Sequence, residues 1–186
     1  MKNDYFNSVT PFAPFRYIWL GRQDTKFDPK YSVEIVLDPD NDPDHKQFMD
    51  DVDELNVEVA DELLKGIKKG KKAYSPKEMF KEIEDDDGNP TGKYSLKATT
   101  KMKPKVVDAD KNIIPDETLC RCYSGTIGRL ILGLKKSVVS TRKTVGLTVY
   151  LSKAQITEPV FGGSSDFDAV DNGYTVGATD GEAPDF

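Results

Sequence analysis

The sequence predicts an all-β fold with one long inserted helix, and three observations carry that prediction. Short stretches of alternating apolar and polar residues recur from residue 12 to residue 157. Only residues 43–65 place apolar side chains at three- and four-residue spacing over several turns. After that helix every segment reads as strand rather than alternating with further helices, which points to a small antiparallel barrel and not a doubly wound sheet. The 186 residues suffice for one core. We read residues 1–157 as that domain and residues 158–186 as a separate C-terminal tail.

Residues 12–20, Phe-Ala-Pro-Phe-Arg-Tyr-Ile-Trp-Leu, are dense in aromatics and form the first expected strand, with Pro14 suited to an edge or a bulge. Tyr31, Val33, Ile35 and Leu37 alternate with Ser32, Glu34 and Val36 in a half-buried strand. The next loop, Asp38-Pro39-Asp40-Asn41-Asp42-Pro43-Asp44, has calcium-loop spacing. It lacks the glycine and the closing glutamate of such loops, Pro43 and Met49 standing at those positions, so no metal is expected. Asp42 is instead an N-cap with Pro43 at the first helical position. Phe48, Val52, Leu55, Val59 and Leu63 form the apolar face of the helix, and its other face is acidic.

A basic, glycine-punctuated loop follows at residues 65–72, and Ser75-Pro76-Lys77-Glu78 reads as a short capped helical turn. The turn at residues 85–92 leads into a strand over residues 93–102, with Lys93, Ser95, Lys97, Thr99 and Lys101 on one side and Tyr94, Leu96 and Ala98 on the other. Val106-Val107 and Ile113 flank a turn, and residues 113–123 are read as extended. Residues 129–139 and 144–157 form a final hairpin with its tip at Ser140-Thr141-Arg142-Lys143.

Charge is segregated. Residues 1–64 carry 6 basic and 15 acidic side chains, residues 65–157 carry 20 and 10, and residues 158–186 carry none and 7. The basic middle can track a phosphate backbone although the whole chain is acidic. Several chemistries are excluded. There is no phosphate-binding glycine loop, no G-x-S-x-G nucleophile motif, and the consecutive Asp85, Asp86 and Asp87 diverge instead of converging on a metal. His45 is read as a surface residue. Cys120 and Cys122 are too few for a zinc site and are read as reduced thiols of a cytosolic protein. No apolar run approaches a membrane span and no apolar leader follows Met1. No catalytic residue, cofactor or metal is expected.

What remains is Lys and Arg interleaved with aromatics on short strands, the two requirements for holding single-stranded nucleic acid. Lys93, Lys97, Lys101, Lys103, Arg121, Arg129, Lys135, Lys136, Arg142 and Lys143 are candidate phosphate contacts. Phe15, Tyr17, Tyr31, Tyr94 and Tyr123 are candidate stacking rings, with Tyr31 and Tyr94 equally readable as core. The tail has no Lys or Arg, is rich in Gly, Ser and Ala, and ends on Phe186. Such a segment is expected to be flexible. Three rivals stand beside this reading: an RNA-binding module, a structural or adaptor protein whose basic face binds an acidic partner and, last, a nuclease.

Ala13-Pro14-Phe15-Arg16-Tyr17-Ile18, Pro29-Lys30-Tyr31-Ser32-Val33-Glu34-Ile35, Val106-Val107-Asp108-Ala109-Asp110-Lys111 and Val145-Gly146-Leu147-Thr148-Val149-Tyr150-Leu151 occur in that order. Phe161-Gly162-Gly163, Asn172-Gly173-Tyr174 and a terminal Asp185-Phe186 follow. This ordered set resembles the acidic-tailed single-stranded DNA-binding proteins of T-odd coliphages. The resemblance implies an OB-fold, a five-stranded antiparallel Greek-key barrel with an inserted helix, acting without enzymatic activity in phage DNA replication, recombination and repair in the host cell cytoplasm. It implies a homodimer. It also implies that the tail, through Asp180, Glu182, Asp185 and Phe186, contacts phage replication proteins such as the polymerase and the helicase/primase. Lys30 matches a basic DNA-contact position of the family, and Lys93 and Lys97 match basic strand positions. The hairpin tip departs from the pattern: Val139 and Thr141 stand where the family has aromatics, leaving Arg142 and Lys143 an electrostatic role.

Overall fold

A computed structural model describes residues 4–26, 28–67 and 74–161. The protein is mostly β-sheet with one main helix. In chain order the elements are β1 (Tyr5–Val9), β2 (Ala13–Asp24), β3 (Lys30–Leu37), α1 (Pro43–Gly66), β4 (Ser75–Pro76), β5 (Lys81–Glu84), β6 (Pro90–Thr100), β7 (Lys105–Val107), α2 (Asp116–Leu119), β8 (Ile127–Val139) and β9 (Thr144–Glu158).

The ladders follow the order β1-β8-β2-β3-β6-β9-β4, and β9 also pairs with β8 along their shared hairpin. Most pairings are antiparallel, but β9 runs parallel to β4, β6 and β7. The expected five antiparallel strands are therefore nine strands with mixed pairing among the described residues. The additional strands β1, β4 and β7 are short and take their pairing from distant partners, which periodicity within one segment cannot show, and the short β5 forms a hairpin with β6.

Alternation sets the core. Val33, Ile35 and Leu37 of β3, Leu96 and Ala98 of β6, Leu130, Leu132 and Leu134 of β8 and Leu147 of β9 all point inward and are buried. Most of their neighbours in sequence lie on the other face, with Ser32 and Ser95 small and covered there, and the exposed side chains of that face carry the site described below.

Helix α1 starts as expected. The Asp42 carboxylate accepts from the backbone N–H groups of Asp44 and His45 at 2.9 and 3.3 Å, with Pro43 as the first helical residue. Phe48, Val52 and Val59 are buried, and Phe48 meets Phe80 edge-on with ring centroids 6.2 Å apart. Asn56, also buried, fixes the helix to β9 and to the segment just after β4: its amide donates to the Lys77 carbonyl and its oxygen accepts from the Leu147 N–H, both at 2.8 Å. Gly146 makes room for it, since a Cβ there would overlap the Asn56 amide.

Three local expectations are corrected. Ser75-Pro76 is a strand rather than a helical turn, because Ser75 N–H and Lys77 N–H bond to the Lys143 and Val145 carbonyls of the β9 side. Residues 116–119 are a short helix rather than a strand, closed by bonds from Leu119 and Cys120 to Pro115 and Asp116. His45 is buried, not a surface residue: Nδ1 accepts from the Asp38 N–H and Nε2 donates to the Phe12 carbonyl, each at 3.0 Å. It joins the β3–α1 turn to the approach of β2. Cys120 and Cys122 are free thiols, the buried Cys122 raised in pKa first by desolvation and then by its neighbour Cys120. Beyond β9, Tyr123 N–H bonds to the Val160 carbonyl at 2.8 Å, and Phe161 bridges to Cys122.

Candidate nucleic-acid interface

The outer face of β2, β3 and β6 is organised by register. Arg16 opposes Glu34, and Glu34 opposes Lys97. One step along, Trp19 opposes Ser32, Ser32 opposes Thr99, and Thr99 opposes Tyr150 of β9. Between Arg16 and Trp19, β2 carries an extra residue relative to β3, a bulge at which Tyr17 adopts φ +49. That is a costly backbone state for an aromatic residue. Its effect is to turn the ring outward, leaving Tyr17 60% exposed. The Arg16 guanidinium lies 5.2 Å from the Tyr17 ring centre while its Nε donates to Glu34 at 2.9 Å and its other arm to Ser95 Oγ at 3.2 Å. The ring is therefore held on a charge that is itself anchored.

Lys77, Lys81 and Lys97 join Arg16 and Tyr17 around one groove. Lys81 and Lys97 make no ion pair among the described residues. Lys77 is half-buried, its Nζ bonded to the Leu147 carbonyl at 3.2 Å. Burial, and then the positive charge of Arg142 at the β8–β9 turn, hold its pKa below the ordinary lysine value.

The sequence-predicted cations divide by their neighbours. Lys30 and Lys101 both pair with Asp28 at 3.1 Å, Lys93 lies 3.8 Å from Asp38, and Lys103 pairs with Asp116. The hydrogen bonds from Lys101 and then Lys30 lower the Asp28 pKa. Lys136 is nearly buried against Glu62 at 2.7 Å. Lys97, Lys135 and Arg142 have no acidic partner among the described residues, and neither does Lys143 at φ +53 on the hairpin turn. Arg129 stacks 4.7 Å from the Phe12 ring and bonds Gln155, and Arg121 stacks 5.5 Å from Phe161.

The rings divide as well. Phe15 is fully buried and is corrected to a core residue. Tyr94 is half-buried and packs on the core, and Tyr31 is half-buried at the start of β3. Tyr17 and Tyr123 are exposed and share a shallow pocket with Trp19, over which Arg22 stacks at 5.1 Å. Tail residues Asp180, Glu182, Asp185 and Phe186 lie outside the described residues.

Two further concave patches follow one another along β9, one lined by Tyr5, Lys103, Lys135 and Tyr150 and the next by Val9, Lys105, Ile131 and Lys153. Lys105 opposes Lys153, Lys153 opposes Ile131, and Ile131 opposes Val9. Lys135 opposes both Tyr5 and Thr148, and Gly133 opposes Tyr150. The Tyr5 phenol lies over Gly133, where a Cβ would overlap it. Lys77, Lys81, Lys105, Lys153, Trp19, Tyr5 and Tyr150 were not singled out from the sequence. The alternation that identified the inward residues of β8 and β9 marks Lys135, Tyr150 and their neighbours as outward. Only the register shows that they meet. Among the described residues, no group of three or more His, Cys, Asp or Glu side chains could hold a metal, and no helix is long and apolar enough to cross a membrane.

Comparison with known proteins bears first on the fold. Gp2.5, a single-stranded DNA-binding protein encoded by bacteriophage T7, superposes with a TM-score of 0.63 at 16% identity over 92% of this chain and 99% of its own. The single-stranded DNA-binding protein of bacteriophage Enc34 superposes at 0.59 with 12% identity, covering 90% of this chain and 88% of its own. The same protein in complex with single-stranded DNA superposes at 0.59 with 14% identity, over 86% and 89%. No curated protein matches the chain by sequence. The family model described as Enterobacter phage Enc34, ssDNA-binding protein, matches residues 13–179, so the chain belongs to that family.

Proposed function

We propose that the chain binds single-stranded DNA across the outer face of β2, β3 and β6 with little sequence preference, coating and protecting it during phage replication, recombination and repair in the host cell. One observation carries this reading: Lys81 and Lys97, which make no ion pair among the described residues, line a groove with Lys77 and Arg16 beside Tyr17, whose ring a bulge turns to solvent. The cations release counterions from the backbone, and the rings of Tyr17 and Trp19 give bases a sequence-tolerant platform. The role is non-enzymatic. Family membership and the likeness to a protein solved with single-stranded DNA support it.

We read the sheet as an OB-fold barrel, since the pairings lead from β2 through β3, β6, β9 and β8 back to β2. The acidic residues 158–186 are proposed to compete with DNA for the basic face and to dock on replication proteins when released, in a chain that acts as a homodimer.

The test is a titration of the full chain against oligo(dT), oligo(rU) and duplex DNA over a range of salt. Tight, salt-sensitive binding to oligo(dT) with weak duplex binding is expected. The double variant Lys97→Ala, Arg142→Ala should lower the slope of log affinity against log salt by roughly 1.4, about 0.7 for each lost phosphate contact. A chain shortened by the eight residues 179–186 should bind more tightly at low salt. Equal or absent binding to all three ligands overturns the reading, and preference for oligo(rU) replaces it with RNA binding.

A further inference from the structure

We propose that the two successive patches along β9 together form a second single-strand contact sector, reached only by DNA long enough to leave the first face. The proposal rests on the reading above and deepens it. The cross-strand row Trp19–Ser32–Thr99–Tyr150 leads from the first face directly onto β9. There Tyr150 is exposed, and the exposed Tyr5 ring lies over Gly133, the residue opposite Tyr150. Two rings thus follow one another where a strand would cross.

Beyond them β9 is irregular: Leu151 opposes Leu132, but Lys153, not Ser152, opposes Ile131. The extra residue lets β9 present Lys153 outward although Leu151 points inward, which strict alternation would forbid. Lys153 then stands in one row with Lys105, and an apolar floor of Val9 and Ile131 lies beside them. Lys105, Lys111 and Lys153 make no ion pair among the described residues. Free cations beside apolar surface suit a chain that is anionic along its backbone and flat and apolar along its bases. An acidic peptide offers the same charge, but the unbroken row from Trp19 to Tyr150 favours continuation of the strand already bound.

The experiment measures affinity of the full chain for oligo(dT) of about eight and about sixteen nucleotides, within the range one such fold covers. For Lys105→Ala with Lys153→Ala, binding of the longer oligomer should fall about tenfold, and its salt slope should fall by roughly 1.4. Binding of the shorter one should stay within about twofold. Tyr150→Ala should likewise weaken the longer oligomer selectively. Lys97→Ala with Arg142→Ala should weaken both lengths. Equal losses at the two lengths, or no loss at either, overturn the second sector while leaving the first face standing. Tighter binding of the lysine variant at low salt also overturns it and assigns the patches to an acidic peptide segment. If Lys97→Ala with Arg142→Ala changes neither length, the first face fails and the extension from it fails too.

Discussion

The two ends of the β3–β6 face use lysine differently. Where β3 begins and β6 ends, Lys30 and Lys101 close on Asp28. Toward the β8–β9 hairpin, Lys93 keeps only a longer contact with Asp38 at 3.8 Å. Lys97 and Arg142 make no ion pair among the described residues, although Glu34 faces Lys97 across the strands, and Lys77 is half-buried. The residue types are alike, but a phosphate meets a free charge at one end and must displace a carboxylate at the other. Exposed ion pairs are individually weak. The first end is therefore a modest barrier that salt and ligand can remove, and the second is open to ligand at once. Electrostatic attraction is graded along the face rather than uniform.

The largest effect is expected at Tyr17, the ring beside the open end. Tyr17→Ala should lose about 1–3 kcal/mol of oligo(dT) binding, the usual worth of one stacked base. Tyr94→Phe, at a half-buried ring, should lose almost none. Equal effects in fluorescence titrations, with thermal melts confirming folding, would remove Tyr17 from the site.

A smaller effect sharpens the charge contrast. Asp28→Asn frees Lys30 and Lys101, so binding should tighten severalfold at low salt and the salt slope should steepen. An unchanged slope would show that DNA never reaches that end.

The smallest effect has opposite signs in two assays. The folded pKa of Lys77 lies below its ordinary value of 10.5, so the unfolded chain binds more protons in the interval between the two. Stability of the free protein should therefore rise with pH through that interval. A phosphate beside Lys77 favours its charged form and raises its pKa, so DNA affinity should fall over the same interval. Lys77→Met should flatten both profiles, and parallel slopes in the unsubstituted protein would remove Lys77 from the contact.

Much of this was legible in the sequence because it is local. The Asp42-Pro43 start of α1, its apolar face and the Arg142 turn each depend on residues a few positions apart. So does the inward set of β3. Family membership was likewise legible, from an ordered series of short motifs along the chain. What was not legible depends on partners far away in the chain. Pro76 is a strand residue only because β9 passes beside it. His45 is buried only because Phe12 offers a carbonyl. The separation of free from paired cations needed Asp28, Asp38 and Asp116 in place. Lys105, Lys153 and Tyr5 required the register of four strands before they formed a surface.

The overlap between the Tyr5 phenol and any side chain at position 133 has an evolutionary consequence. The two positions are 128 residues apart in sequence, yet they form one unit of inheritance. A side chain gained at 133 expels the ring, and a ring lost from 5 leaves bare backbone that a larger residue at 133 can fill. Along a lineage these positions should change together or not at all. Any descendant that trades the pair for a filled 133 gives up the Tyr5 ring that stands beside Tyr150.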